Sequence, residues 1–166
     1  MADSAKRSDS ARAASRVPIV AGWREWAALP DIGVPWIKVK LDTGARSSAL
    51  HAFDIEELPG GRVRFSVHPW QDSDADPQTV ECDVHDRRVI RSSSGHTQER
   101  IVVLMSIELA GRTVLSETTL SNRDQMGFRM LVGREALRQG FVVDPARSFM
   151  AGRAPKAVRR RNRGRT

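Results

Sequence analysis

The sequence contains no tyrosine, and four tryptophans and five phenylalanines supply all of its aromatic volume. Its single cysteine, Cys82, excludes an intrachain disulfide, so a reducing cytoplasm is the expected home. The first residues mix charges with small polar groups and show no apolar leader region, so no secretory signal is expected. No apolar run approaches bilayer-crossing length, and membrane association is not expected. The chain also lacks the Gly-x-x-x-x-Gly-Lys-Ser/Thr run of a phosphate-cradling loop, the His-Glu-x-x-His pair of a zinc hydrolase and the Gly-x-Ser-x-Gly elbow of a serine hydrolase. His51, His68, His85 and His96 are scattered, and only Cys82-x-x-His85 has ligand-like spacing. A lone pair of that kind on a strand is a coincidence more often than a metal site.

Acid is also missing from one stretch, and that changes how the net charge of +7 reads. Residues 153–166 hold Arg153, Lys156, Arg159, Arg160, Arg161, Arg163 and Arg165 with no Asp or Glu. Setting aside these seven bases, and the four bases and two acids of residues 1–16, leaves 16 bases against 18 acids. The basicity therefore lies in the ends, and the central part does not have the charge of a nucleic-acid-binding fold. The basic tail has no interleaved aromatics, so base stacking is not implied, although contact with ribosomal RNA or an acidic protein stays open.

What is present is β-forming. Residues 1–17 lack apolar periodicity and are expected to be disordered; residues 18–150 are expected to form one domain, and residues 151–166 a disordered basic tail. Ile37, Val39 and Leu41 alternate with Trp36, Lys38 and Lys40, which predicts a half-buried strand. Ala49–Leu58 predicts another, and Pro59-Gly60-Gly61 turns it into a hairpin with Val63, Phe65 and Val67. Residues 80–90 return to strand character. A polar connection over 91–100 precedes strongly β-forming residues 101–109, and Ala110-Gly111-Arg112 predicts a second hairpin. Leu131-Val132-Gly133 reads as a short buried strand leading into a brief helix over 134–139, and Phe141–Asp144 as a final strand. Many short strands with one small helix predict a mainly β fold, closed or sandwich-like.

The predicted strand 37–41 runs into Asp42-Thr43-Gly44-Ala45. A carboxylate that activates water needs a tight loop, a neighbouring hydroxyl and a residue without a side chain, and this tetrapeptide has all three. It resembles the active-site loop of pepsin-like and retropepsin-like aspartic peptidases. Roughly ninety residues on, Leu131-Val132-Gly133-Arg134 resembles the apolar-Gly segment that crosses that loop in retropepsins, where close passage of two chain segments calls for glycine. Gly22-Trp23-Arg24-Glu25-Trp26, Arg46-Ser47-Ser48-Ala49-Leu50-His51-Ala52, Ser94-Gly95-His96 with Glu99-Arg100, and Asn122-Arg123-Asp124-Gln125-Met126 extend the likeness over residues 20–148. Together they resemble a bacterial retropepsin-like family often labelled as ATP-dependent zinc proteases. Neither half of that label fits the residues. No zinc motif or nucleotide loop is present, and the chain is too short for an ATP-grasp domain, so no metal and no cofactor are expected.

The resemblance implies a closed retropepsin-like β barrel with one short C-terminal helix, and an aspartic peptidase. Asp42, Thr43 and Gly44 would be catalytic; Ala45, Arg46, Ser94, Gly95, His96, Arg123 and Arg134 would contact substrate. Some family members sit beside ATP-grasp ligases that add glutamates to a ribosomal protein, which implies a peptide- or glutamyl-tail-trimming role. Aspartic catalysis uses two carboxylates sharing one proton, and this chain has one Asp-Thr-Gly. A homodimer that pairs two Asp42 side chains is the better expectation. Within one chain, Glu99, Asp124 or Glu135 are candidate second acids, and Arg91, Arg123 or Arg134 candidate cations tuning Asp42. Viral retropepsins continue this loop with acids where Arg46-Ser47-Ser48 stands here. Arg46 with Arg91, Arg100, Arg123 and Arg134 is consistent with an acidic peptide substrate, while for any single arginine a structural ion pair is the more common role. The alternative function is a peptide- or ribosome-binding module on the same fold, without catalysis.

Overall fold

The computed structural model describes residues 17–91, 94–122 and 127–165. Strands dominate, as the alternation demands: β1 Ile19–Gly22, β2 Arg24–Leu29, β3 Val34–Leu41, β4 Ser48–His51, β5 Phe53–Leu58, β6 Arg62–Val67, β7 Gln78–Asp83, β8 Asp86–Arg91, β9 Thr97–Leu109, β10 Arg112–Ser121, β11 Met130–Val132 and β12 Phe141–Asp144. A 3-10 turn at Pro30–Ile32 and two short helices, α1 Arg134–Leu137 and α2 Lys156–Asn162, complete the described elements.

One sheet runs in the order β10-β4-β11-β3-β2-β9-β8, and a further pairing of β9 with β10 closes it into a ring. Closure pairs the ring strands on both sides and leaves β8 as an edge strand outside the ring. The inward residues fill the ring: Ile37, Val39, Leu50, Met105, Ile107, Leu109, Met130 and Val132 are all buried. A side sheet, β5-β6-β7, covers part of this core with Val63, Phe65 and Val67. The fold is mainly β and barrel-like, with a short helix after β11, as the resemblance implied.

The β9–β10 hairpin turns through Ala110 and Gly111, both at positive φ (51° and 78°), the conformation that matches the twist of paired strands. The expected hairpin after Pro59 is likewise present, with Leu58 opposite Arg62. The stretch 49–58, expected as one strand, is two. At Ala52 the backbone N–H donates to the Ser121 carbonyl (3.0 Å), and the chain then leaves the barrel for the side sheet. Residues 80–90 also divide, because Val84 donates to the Gly61 carbonyl (2.8 Å) and His85 to the Val102 carbonyl (2.8 Å), which bends the chain from one sheet to the other.

The described part of the expected C-terminal tail is not disordered. Pro155 stands at the N-cap of α2, whose run of arginines favours helix. Asn162 is its anchor, only 4% exposed. The Asn162 carbonyl accepts from Asp72 N–H (2.9 Å) and its side-chain oxygen from Gln71 N–H (2.8 Å). An asparagine among arginines reads as one more polar residue, so nothing in the sequence marked it as an anchor. Residues 1–16 lie outside the described residues.

Just upstream of α2 the chain is fastened by Glu25, a fully buried carboxylate on β2. It accepts from the N–H groups of Met150 and Ala151, both at 2.9 Å. Burial pushes the Glu25 carboxyl above its ordinary value, against the opposing effect of those backbone N–H bonds. A folded pKa above the unfolded one means that this group's contribution is greatest below the unfolded value and falls as pH rises through the folded one. Replacing Glu25 by Gln removes that dependence. The stability of Glu25→Gln relative to the native chain should therefore rise as pH increases above the ordinary glutamate value of 4.5, read as the difference in Tm at each pH.

Candidate active site

Asp42 sits where β3 ends, and the backbone fixes it from both sides. Leu41 N–H donates to the Trp23 carbonyl and Asp42 N–H to the Val132 carbonyl, each at 2.8 Å. The loop then folds back on the carboxylate: Oδ1 accepts from Gly44 N–H (3.0 Å) and Ala45 N–H (3.2 Å). One carboxylate oxygen is thus held by two backbone amides, and Oδ2 is not used by these bonds. Asp42 is half-buried and Thr43 and Gly44 are exposed, so the carboxylate lies at the mouth of a loop that solvent and a ligand can reach.

The floor of the loop is the crossing by β11. This strand runs parallel to β3 and antiparallel to β4, so it passes between the two arms of the Asp42 loop. Gly133 follows, and a Cβ on it would press into the backbone of Ser47 and Ser48. Its N–H donates to Ser48 Oγ (3.0 Å), which is bonded to Ser116 Oγ (2.7 Å), while Thr119 Oγ1 donates to the Ser48 carbonyl (3.2 Å). All three hydroxyl residues are buried. The first amides of α1 close the other side, with Arg134 N–H donating to the Ala45 carbonyl (2.7 Å) and Glu135 N–H to the Arg46 carbonyl (3.1 Å).

A third support comes from β8. Arg88 donates to Ser47 Oγ (3.0 Å) and Glu117 Oε2 (2.7 Å), and also to Asp86 Oδ2 (3.0 Å). The hydrogen bond from Arg88 holds the Glu117 carboxyl below its ordinary value, with a further contribution from His85. Sequence reading missed Ser47, Ser48, Ser116 and Arg88 as loop supports. The only available signal was the pair of small hydroxyl residues directly after the loop.

The sequence-expected residues fall into separate groups. Asp42, Thr43, Gly44, Ala45 and Arg46 share the loop, and Arg134 lies against it, with Nη1 3.5 Å from the Thr43 carbonyl. Ser94, Gly95 and His96 form the exposed tip between β8 and β9, just beyond the Arg91–Thr97 pair. The β8 stem of that hairpin reaches the Asp42 loop through Arg88. Arg123 and Asp124 lie outside the described residues. The other candidate acids bind elsewhere: Glu99 faces Arg87 (3.8 Å) and Glu135 faces Arg138 (3.3 Å). The Cys82-x-x-His85 pair is split, since Cys82 sits in β7 opposite Val63 while His85 Nε2 meets Glu117 Oε1 at 3.1 Å. Among the described residues no group of three or more His, Cys, Asp or Glu side chains is placed to hold a metal ion.

A barrel whose Asp-Thr-Gly-Ala loop is crossed by an apolar-Gly segment is the architecture of a retropepsin-like protein. Comparison with known proteins carries this further: a model of the RimB-like family, described as retropepsin-like aspartic endopeptidase RimB, matches residues 20–154, and the chain belongs to that family. Among curated proteins, it is 43% identical over 136 residues to a probable alpha-L-glutamate ligase of Shewanella pealeana, covering 80% of this chain and 30% of that protein. It is 39% identical over 143 residues to a protein of the same name from Desulfotalea psychrophila, covering 82% and 30%. The chain therefore spans about a third of the length of these curated relatives. Among solved structures it is similar to Lpg0085 (DUF785) from Legionella pneumophila, a protein of unknown function. That likeness has a TM-score of 0.66 at 29% identity and covers 80% of this chain and 97% of the other.

Two substitutions test the crossing. Gly133→Ala should destabilise the chain by about 1–3 kcal/mol through overpacking against Ser47 and Ser48, measured by chemical denaturation. Ser48→Ala strands the buried Gly133 N–H and should cost about 1–3 kcal/mol by the same measurement, with Ser116→Ala costing less because Gly133 keeps its acceptor.

Proposed function

We propose that this chain is an aspartic peptidase that hydrolyses peptide or glutamyl-tail bonds through an Asp42-activated water, working as a homodimer. The observation that carries this reading is the Asp42 carboxylate itself: one oxygen bound by Gly44 and Ala45 N–H, on a loop braced by β11, α1 and Arg88. Such bracing holds a water-activating group in fixed geometry, which is what general acid–base catalysis requires. The one Asp-Thr-Gly of the chain supplies one carboxylate, and the Glu99 and Glu135 carboxylates are drawn to arginines instead. A two-fold axis beside the Thr43–Gly44 edge of the loop, which is exposed, would bring a second Asp42 to the first.

In that assembly the two carboxylates share one proton, because adjacent like charges do not both ionise. The ionised carboxylate takes a proton from water as its oxygen attacks the scissile carbonyl carbon. The protonated one gives its proton to the carbonyl oxygen. Collapse of the resulting diol breaks the C–N bond, and a proton passes to the leaving amine. The glutamate-ligase name of the relatives supports glutamate as a residue beside the cleaved bond. The arginines at or near the loop, Arg46 and Arg134, suit such an acidic chain.

Asp42→Asn should lower turnover of a glutamate-rich peptide by about 100-fold or more, with the melting temperature near native. A chelator should leave the native rate unchanged. Turnover that persists in Asp42→Asn, or that stops on chelation, would overturn the mechanism, and a sedimentation profile showing only monomer under turning-over conditions would overturn the dimer.

A further inference from the structure

Strand β3 delivers Asp42, and it also leads away from it to a second concentration of charge. Lys38, Lys40 and Asp42 have the same parity along the chain, opposite to buried Ile37, Val39 and Leu41. Lys38 opens into a cavity of about 170 Å³ between the β2–β3 face and α2, lined by Arg24, Phe149, Arg153, Arg159 and Arg163 among others. Among the described residues no carboxylate lines it. Arg159 and Arg163, one helical turn apart, also line an adjoining cavity of about 330 Å³ with Lys156, Arg160 and Arg165. The two cavities share those side chains and so form one basic strip along α2.

Around Lys38 the cations outweigh the one acid that acts on it. Burial pushes the Lys38 ammonium below its ordinary value, and repulsion by Arg24 and Arg163 adds to it, opposed only in part by Asp72. Arg159 donates through Nε to the Ala154 carbonyl (3.1 Å), which fixes its direction. Among the described residues the guanidinium groups of Arg153 and Arg163 meet no carboxylate or other acceptor. A cleft lined by one sign of charge attracts and orients the opposite sign.

The aromatic faces nearby decide what kind of polyanion fits. Arg24 lies over Trp23 and Phe149, at 4.8 and 5.1 Å from the ring centres, and Lys38 lies 5.7 Å from Phe128 and from Phe149. These rings are occupied by cations, so they offer no open platform for bases, whereas carboxylates need only the cations. We infer that the cleft between β3 and α2 is a docking strip for the acidic side chains of a glutamate- or aspartate-rich polypeptide. The inference rests on the peptidase reading for its link to Asp42. Lys38 precedes Asp42 by four residues, about 13 Å along an extended strand. A substrate anchored at Lys38 therefore needs about four extended residues to present a bond to the carboxylate. Residues 156–165 lie beyond the span that matches the family, so the α2 side of the strip belongs to this chain's own C-terminal segment.

The test measures binding apart from cleavage. A fluorescent oligoglutamate peptide is titrated into the full chain carrying Asp42→Asn, and its anisotropy is followed with and without Arg153→Glu and Arg163→Glu. The double charge reversal should weaken binding about tenfold or more, with Arg163→Lys close to native and all melting temperatures alike. If the double variant does not fold, Arg163→Ser alone decides by the same readout. Equal affinity in native-strip and reversed-strip chains would overturn the strip, as would no binding at all. Tighter binding of a single-stranded oligoribonucleotide of equal charge would overturn it in favour of nucleic acid. Turnover of a glutamate-rich peptide at saturating concentration, compared between chains with Asp42 intact and with Asp42→Asn, judges the peptidase reading separately. If the strip fails, Asp42-dependent turnover still stands; if turnover is absent, strip-dependent binding still stands.

Discussion

The closeness with which residue 133 passes the backbone of Ser47 and Ser48 is the constraint that the site depends on. Only a residue without a side chain fits that crossing, because a Cβ would enter the Ser47 carbonyl. The closeness also puts the Gly133 N–H within reach of Ser48 Oγ, and it places α1 so that its first amides meet the Ala45 and Arg46 carbonyls. Asp42 then takes its orientation from a loop with little freedom left. The same short strand, β11, is the seam that joins β3 to β4 and lets the barrel close. Barrel closure and carboxylate placement are therefore one event in this fold.

Burial of polar groups follows from that arrangement. Ser48, Ser116, Thr118 and Thr119 lie under the loop with almost no exposure, a costly choice unless each hydroxyl finds a partner. Ser48 pairs with Ser116 and accepts from Gly133, and Thr119 returns a bond to the Ser48 carbonyl. Such a network gives the crossing a single register, which apolar packing alone specifies less sharply. Arg88 extends the fastening outward, joining Ser47 to Glu117 on a neighbouring strand.

Much of the fold was legible because its signals are local. The alternation at Ile37, Val39 and Leu41, the turn at Pro59-Gly60-Gly61 and the Ala110-Gly111 hairpin each depend on a few adjacent residues. Asp42 and Gly133 were legible for another reason: close backbone approach demands specific residue types, so chemistry shows through spelling. What was hidden depends on partners distant in sequence. The strand breaks at Ala52 and Val84 arise from carbonyls of Ser121 and Gly61, and Arg88 looks like any strand arginine until Ser47 comes beside it. The C-terminal helix was hidden by composition. Its arginines resemble a solvated tail, while the residue that pins it, Asn162, carries no apolar signature.

Asp42 takes its backbone acceptor from Val132, ninety residues later in the chain, and β11 pairs with both arms of the loop. Such a long-range pairing pays its loop-closure entropy before it is rewarded, so it forms late. A chain emerging from the ribosome carries its aspartate long before the strand that aims it. The Asp42 loop is then unbraced, and it has no fixed geometry until β11 is in place. The topology thereby withholds the fixed geometry of the Asp42 loop from an unfinished chain.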